Sequence, residues 1–177
     1  MKVINLFAGP GAGKSTTAAG LFYQMKKDGY KVELLSEYAK KLVYQDNMTV
    51  LGDQLMILAK QHHMQLVLDD QVDYLITDSP FIMGTVYTQE TKHMPKVQYD
   101  DLVMCMYNSY DNVNIFLERN LNEYGYKQEG RTQTLEEAQE KDNEIKDMLK
   151  EFNVPYYSVL MNDKTLHKIM QVACVSY

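Results

Sequence analysis

A short apolar run, Val3-Ile4-Asn5-Leu6-Phe7, leads straight into Ala8-Gly9-Pro10-Gly11-Ala12-Gly13-Lys14-Ser15-Thr16, and then into a stretch of helical composition reaching Met25. A strand, a glycine-rich turn and a helix N-terminus in that order point successive backbone N–H groups at one anion. The spacing is a small residue, four of any kind, then Gly-Lys-Ser, with Ala8 standing where glycine is usual. Gly9, Gly11 and Gly13 permit the close approach and unusual φ/ψ that such a wrap needs. On this reading Gly9, Gly11, Ala12, Gly13, Lys14, Ser15 and Thr16 cradle a nucleoside triphosphate. Lys14 reaches its β- and γ-phosphates, and the Ser15 hydroxyl ligates Mg²⁺.

The rest of the chain repeats the alternation of strand and helix. The first helix is expected over Lys14–Asp28, stopped by Asp28-Gly29. Val32–Leu35 reads as a second strand, with a helix from Glu37 to about Gln45 and a longer one from about Val50 to Asp69. On that longer helix Leu51, Leu55, Leu58 and Leu66 have core spacing. Gln54, Gln61 and Gln65 form an adjoining stripe, whose amides suit the edge of a nucleobase and equally suit a solvated face. Tyr74–Asp78 is the third strand, and Pro80 opens the helix that follows. Thr88–Lys96 is a polar loop on the substrate side, and Tyr99–Tyr110 a helix with an apolar stripe of Leu102, Val103, Met106 and Tyr110. Val113–Leu117 is the fourth strand. Thr134-Leu135-Glu136-Glu137 is a capping box opening a helix to about Phe152, Pro155–Val159 the fifth strand, and Lys164–Val175 the closing helix. Five strands alternating with helices predict an α/β fold, a parallel sheet covered on both faces. A chain of 177 residues then holds a single domain over 1–177, with a short lid at about 119–133.

Composition excludes little but directs the partners. A formal net charge of −6 disfavours broad non-specific nucleic-acid binding, leaving Lys92, Lys96 and Lys127 as a local basic groove. The apolar run before the glycines is too short for a leader or a membrane span. Cys105 and Cys174 sit in apolar helical settings without metal spacing and read as reduced core thiols, which points to the cytoplasm. The adjacent His62 and His63 point apart on a helix and do not suggest a metal site. Oligomeric state stays open, a homodimer included.

Phosphoryl transfer needs a phosphate cradle, a metal, cations over the moving charge and a group that orients the nucleophile. Glu37 and Asp78 are acids at the carboxyl ends of strands, where open α/β sheets bind ligands. One suits the acceptor's proton and the other helps hold Mg²⁺ with Ser15; spacing leaves the assignment open. Arg119 and Arg131 flank the lid, where closure brings a guanidinium onto the γ-phosphoryl oxygens. Lys14, Glu37, Asp78, Arg119 and Arg131 are therefore the candidate catalytic residues, and Gln54 and Gln61 the candidate acceptor-binding ones.

The order of Gly9–Thr16, Ser36-Glu37-Tyr38-Ala39-Lys40, Gln54 and Gln61, Thr77-Asp78-Ser79-Pro80 and Gly130-Arg131 resembles the P-loop kinases, a branch of the P-loop NTPase fold. The resemblance is to the ribosylnicotinamide kinase domain of NadR-type proteins, with its AAA-like ATPase character, and more distantly to deoxynucleoside kinases. It implies an ATP- and Mg²⁺-dependent kinase, with Glu37 as base on a sugar hydroxyl and a glutamine, Gln61 or Gln54, on the base. The chain departs from the deoxynucleoside kinases in having Asp78-Ser79-Pro80 where they carry acid-Arg-Ser. It departs from NadR-type domains in having Glu129-Gly130-Arg131 where they carry Asp-Gly. It is also similar to small P-loop proteins of tailed bacteriophages, some like kinases of hydroxymethylated pyrimidines in DNA. That implies modified DNA as a second acceptor and host cytoplasm as the setting. A P-loop ATPase or switch is the third expectation. No Asn-Lys-x-Asp guanine signature is present.

Overall fold

A computed structural model describes residues 1–36, 38, 42, 44–125 and 134–174. Five parallel strands form one sheet: β1 (Lys2–Phe7), β2 (Val32–Leu35), β3 (Tyr74–Thr77), β4 (Asp111–Glu118) and β5 (Tyr157–Leu160), in the order β2-β3-β1-β4-β5. β1 pairs on one side with β3 (Ile4 opposite Ile76) and on the other with β4 (Ile4 opposite Val113). A central strand covered on both faces must be apolar in both parities. Ile4 and Leu6 accordingly pack into one core with Leu21, Met25, Ile115 and Ile169, while Phe7 packs into the other with Leu58, Val103, Phe116 and Ile145. From β1 the chain winds toward β2, and from β4 toward β5, so the crevice between neighbouring β1 and β4 is the topological switch point.

The first core lies under α1 (Lys14–Lys27) and the C-terminal helix Thr165–Ala173. The second face carries α2 (Met48–Gly52), α3 (Gln54–Leu66), a 3₁₀ turn Phe81–Met83 running into α4 (Gly84–Tyr87), and α5 (Lys96–Tyr107). After β4 come a single turn, α6 (Leu121–Tyr124), then α7 (Leu135–Glu151) and α8, the Thr165–Ala173 helix. The expected capping box starts α7: Glu137 N–H donates to the Thr134 hydroxyl at 3.2 Å, and Thr134 N–H to the Glu137 carboxylate at 2.7 Å.

Strand positions follow the apolar runs within one or two residues, but three helical readings change. The single helix expected over Val50–Asp69 is two helices, broken at Asp53, whose carboxylate accepts from Met56 N–H and starts α3 anew. The rotation of α3 also differs. Leu55 and Leu66, expected in the core, are 39% and 51% exposed, and the buried residues are Ile57, Leu58, Gln61 and Gln65. On α5, which follows Pro95, Tyr99, Val103 and Tyr107 turn inward, so Leu102 and Cys105 lie exposed rather than in the core.

A polar seam also runs through the second core. Asn5 Nδ2 donates to Asn112 Oδ1 (2.8 Å) and to Asn114 Oδ1 (3.0 Å), while the Tyr107 hydroxyl donates to Asn114 Oδ1 at 2.6 Å. Asn114 Nδ2 donates in turn to the Pro155 carbonyl at 3.0 Å. Asn5 and Asn114 are directly opposite in the β1–β4 ladder. Because a buried amide left unpaired costs about 1–3 kcal/mol, this seam fixes the register of the two central strands.

Candidate active site

The turn after β1 takes the shape its glycines allow. Gly11 and Gly13 adopt φ of 77° and 85°, and Gly13 forms the N-cap of α1 with no side-chain hydrogen bond and no acidic residue in the first turn. The leading N–H groups of α1 thus have no capping side chain, the condition under which a helix start takes an anion. Lys14 Nζ folds back over the turn, donating to the carbonyls of Ala8 (2.7 Å) and Gly9 (3.3 Å), and Ser15 and Thr16 face solvent. Ala8 replaces the usual glycine without strain: its φ is not positive, and its methyl group fills the first core beside Ala12.

Gly9 is glycine for a reason other than φ. A Cβ there would stand 2.6 Å from the Ala138 carbonyl oxygen, 2.8 Å from Asp142 Oδ1 and 3.0 Å from Arg119 Nη2. The loop is therefore pressed against α7, and its backbone is held there: Gly9 N–H donates to Asp142 Oδ1 at 2.5 Å. The same carboxylate binds Arg119, the residue after β4, with Nε donating to Oδ2 at 2.5 Å and Nη2 to Oδ1 at 3.3 Å. Arg119 and Asp142 are 8% and 13% exposed, and Arg119 Nη1 is buried with no partner among the described residues. One turn along α7, Lys146 pairs with Glu118 at 2.9 Å, so two ion pairs of opposite polarity fasten the helix to the end of β4.

Asp78 follows β3, which neighbours β1, and the structure brings it to the loop. The Ser15 hydroxyl donates to Asp78 Oδ2 at 2.6 Å. Asp78 is 5% exposed, and its other oxygen, Oδ1, is buried with no hydrogen-bond partner among the described residues. A hydroxyl and a carboxylate in contact, with one carboxylate oxygen unmatched, are hard oxygen donors of the kind that Mg²⁺ takes. The residues fit the metal.

The glutamines separate into different environments. Gln61 is buried, and its Nε2 donates to Ser79 Oγ (2.9 Å) and to the Ser79 carbonyl (3.4 Å). Its amide holds the turn next to Asp78, so the solvated-face reading fails for it. It fails for Gln65 as well, which is buried. Gln54 Nε2 donates to the Leu51 carbonyl at 2.9 Å, and its residue lines a cavity of about 320 Å³ with Asp53, Thr88, His93, Met94 and Tyr99. Tyr99 forms the inner wall. Its hydroxyl fits only because residue 84 is glycine, where a Cβ would come within 2.3 Å of it, and burial pushes the phenol above its ordinary pKa. A larger cleft, about 500 Å³, sits at the C-terminal end of α1, remote from Lys14.

Glu37, Arg131 and most of the lid expected at 119–133 lie outside the described residues. Asp142 belongs to no motif of the sequence, because a lone aspartate on a highly charged helix looks like surface. No helix among the described residues is long and apolar enough to cross a membrane.

With strand, loop and helix in place, the sequence profile of the AAA domain family matches residues 3–164. The chain belongs to that family. Its fold is similar to that of NadR protein crystallised in complex with NR, with a TM-score of 0.69 and 16% identity over 99% of this chain and 52% of that one. The AAA domain chain thus spans about half of the NadR chain. It is similar also to thymidylate kinase from Ehrlichia chaffeensis, with a TM-score of 0.65 and 13% identity over 98% of each chain. At these identities the likeness establishes the fold alone, a parallel α/β sheet in the order β2-β3-β1-β4-β5. No curated protein matches the chain.

Proposed function

We propose that the protein is a Mg²⁺-dependent phosphotransferase that moves the terminal phosphoryl group of ATP to a hydroxyl of a small nucleoside- or nucleotide-like acceptor. The observation that carries this reading is the contact of Ser15 with Asp78 beside the phosphate turn, with Asp78 Oδ1 buried and unmatched among the described residues. The backbone N–H groups from Gly11 to Thr16 and the Lys14 ammonium bind and orient the phosphates. Ser15 and Asp78 would hold Mg²⁺, which when bound neutralises charge on the transferring phosphoryl oxygens. Gln61, through Ser79, keeps the Asp78 turn in place. Glu37 comes two residues after β2, whose last residue Leu35 pairs with Thr77 at the end of β3, and this placement supports it as the base on the acceptor hydroxyl. The cavity at the start of α3 has the volume and mixed polarity for a base or sugar, which supports Gln54 as an acceptor contact. Arg131 keeps its expected role over the phosphoryl group, and 119–133 that of a lid.

The test is ADP release from Mg-ATP with a panel of acceptors: nicotinamide riboside, the common nucleosides and monophosphates, and DNA containing hydroxymethylated pyrimidines. Stimulation by a free nucleoside or nucleotide establishes the reading. Stimulation by modified DNA alone replaces the acceptor, although Lys96, one member of the expected basic groove, is already bonded to Asp100 at 2.8 Å. Hydrolysis indifferent to every acceptor overturns the reading in favour of an ATPase or switch.

A further inference from the structure

Asp142 occupies a place that ordinary helix packing does not require. A carboxylate beside a phosphate-binding turn repels the ligand that turn is built for. Here it is nearly buried and both its oxygens are engaged, Oδ1 by Gly9 N–H and Oδ2 by Arg119 Nε. The arginine it binds retains a buried Nη1 with no partner among the described residues. The Cβ-free surface of Gly9 is what lets these groups meet, since any side chain there would collide with the Ala138 carbonyl and with Asp142 itself.

We propose that Asp142 is a positioning residue for phosphoryl transfer. It fixes the first glycine of the phosphate turn and the Arg119 guanidinium to one carboxylate, at the expense of nucleotide affinity. This rests on the phosphotransferase reading above, but its consequences for binding can be read without turnover. With Arg119 present, the pair is neutral and Nη1 is held at the shoulder of the turn for an anionic oxygen of the nucleotide. With Arg119 removed, a bare carboxylate remains against the turn and opposes the phosphates. With Asp142 alone neutralised, the turn gains net positive charge but loses the carboxylate charge that orients Arg119.

Asn is the appropriate replacement, because its Oδ1 still accepts from Gly9 N–H while the charge is gone. The experiment compares the full chain with Asp142→Asn, Arg119→Gln and the double variant. Thermal melting reads the folded fraction, calorimetric titration the affinity for Mg-ATP, and turnover uses the acceptor found above. Arg119→Gln should weaken Mg-ATP binding roughly tenfold or more, from charge alone. Asp142→Asn should bind Mg-ATP as tightly as the unaltered protein or up to a few-fold more tightly, while kcat falls roughly tenfold or more. Adding Asp142→Asn to Arg119→Gln should recover affinity to within roughly threefold of the original, a suppression that loss of fold cannot mimic. Two results overturn the proposal: Asp142→Asn weakening Mg-ATP binding as much as Arg119→Gln, or a double variant no better than Arg119→Gln. If the unaltered protein binds Mg-ATP but phosphorylates no acceptor, the phosphotransferase reading falls, and the affinity pattern still decides the placement of Asp142. An unaltered protein that does not bind Mg-ATP overturns both.

Discussion

The two sides of the site are built in opposite ways. The phosphate side is consecutive: Ala8 to Thr16 supplies the turn, the helix start, the lysine and the hydroxyl from one stretch of chain, and its working groups are mostly backbone N–H. The cavity proposed for the acceptor is lined by three segments, the start of α3, the loop after α4 and Tyr99 of α5. A backbone-built site depends on φ and on close approach, so single glycines govern it. A side-chain-built site depends on which residues happen to face inward. Substitutions should therefore act sharply on one side and gradually on the other.

The largest contrast should come from Lys14→Ala, which removes the proposed phosphate-binding cation together with its bonds to the Ala8 and Gly9 carbonyls, while leaving both apolar cores their side chains. Turnover should fall by roughly 10²–10³, with the melting temperature little changed; near-normal turnover in a folded variant would remove the phosphate side from the mechanism. Next is Gly9→Ala, whose new Cβ meets the Ala138 carbonyl and, beside it, the ion-paired side chains of Asp142 and Arg119. It should cost about 1–3 kcal/mol in urea unfolding, the range for overpacking, and loosen α7 from the turn. An unchanged midpoint would show that α7 yields at no cost.

Helix α3 sharpens the comparison further. Gln61→Leu should lower kcat several-fold, about the loss of one buried hydrogen bond, and leave the acceptor KM unaltered, because Gln61 holds Ser79. Gln54→Ala should do the reverse, raising the acceptor KM a few-fold with kcat unaltered. If the two profiles are exchanged, the acceptor lies deeper than the Gln54 cavity.

The smallest effect is on stability at high pH. Burial raises the Tyr99 and Tyr107 phenols above their ordinary value near 10, Tyr107 despite its bond to Asn114. The folded state then keeps protons that the unfolded chain releases. The stabilisation is complete below about pH 10 and declines as pH climbs through the raised values. Tyr107→Phe should flatten that decline in pH-dependent melting; an unchanged slope would place the titration elsewhere.

The same division decides which parts of the protein are legible in its sequence. The turn is legible because glycine, lysine and serine each have a backbone or ligand consequence at a fixed spacing. The central strands are legible because buried parallel strands are near-continuous apolar runs, while the edge strand β5, exposed at Tyr157, Ser158 and Leu160, shows only in its aromatic and β-branched residues. The face of α3 is not, since counting leucines assumes that apolar residues face inward. Here Gln61 and Gln65 go inward, Gln61 because Ser79, distant in sequence, accepts from its amide. Asp142 is hidden for the same reason: what draws it inward is a backbone N–H 133 residues away.

The strand that leads into the glycine-rich turn precedes the other four in sequence, yet it lies between β3 and β4. Its Asn5 amide finds its partners only at Asn112 and Asn114, and the turn's anchor at Asp142 comes later still. On the ribosome, where synthesis runs N-terminus first, β1 and its turn emerge before the strands and the helix that hold them. The turn is thus completed by segments that follow it in the chain, and its geometry waits on the folding of the whole sheet.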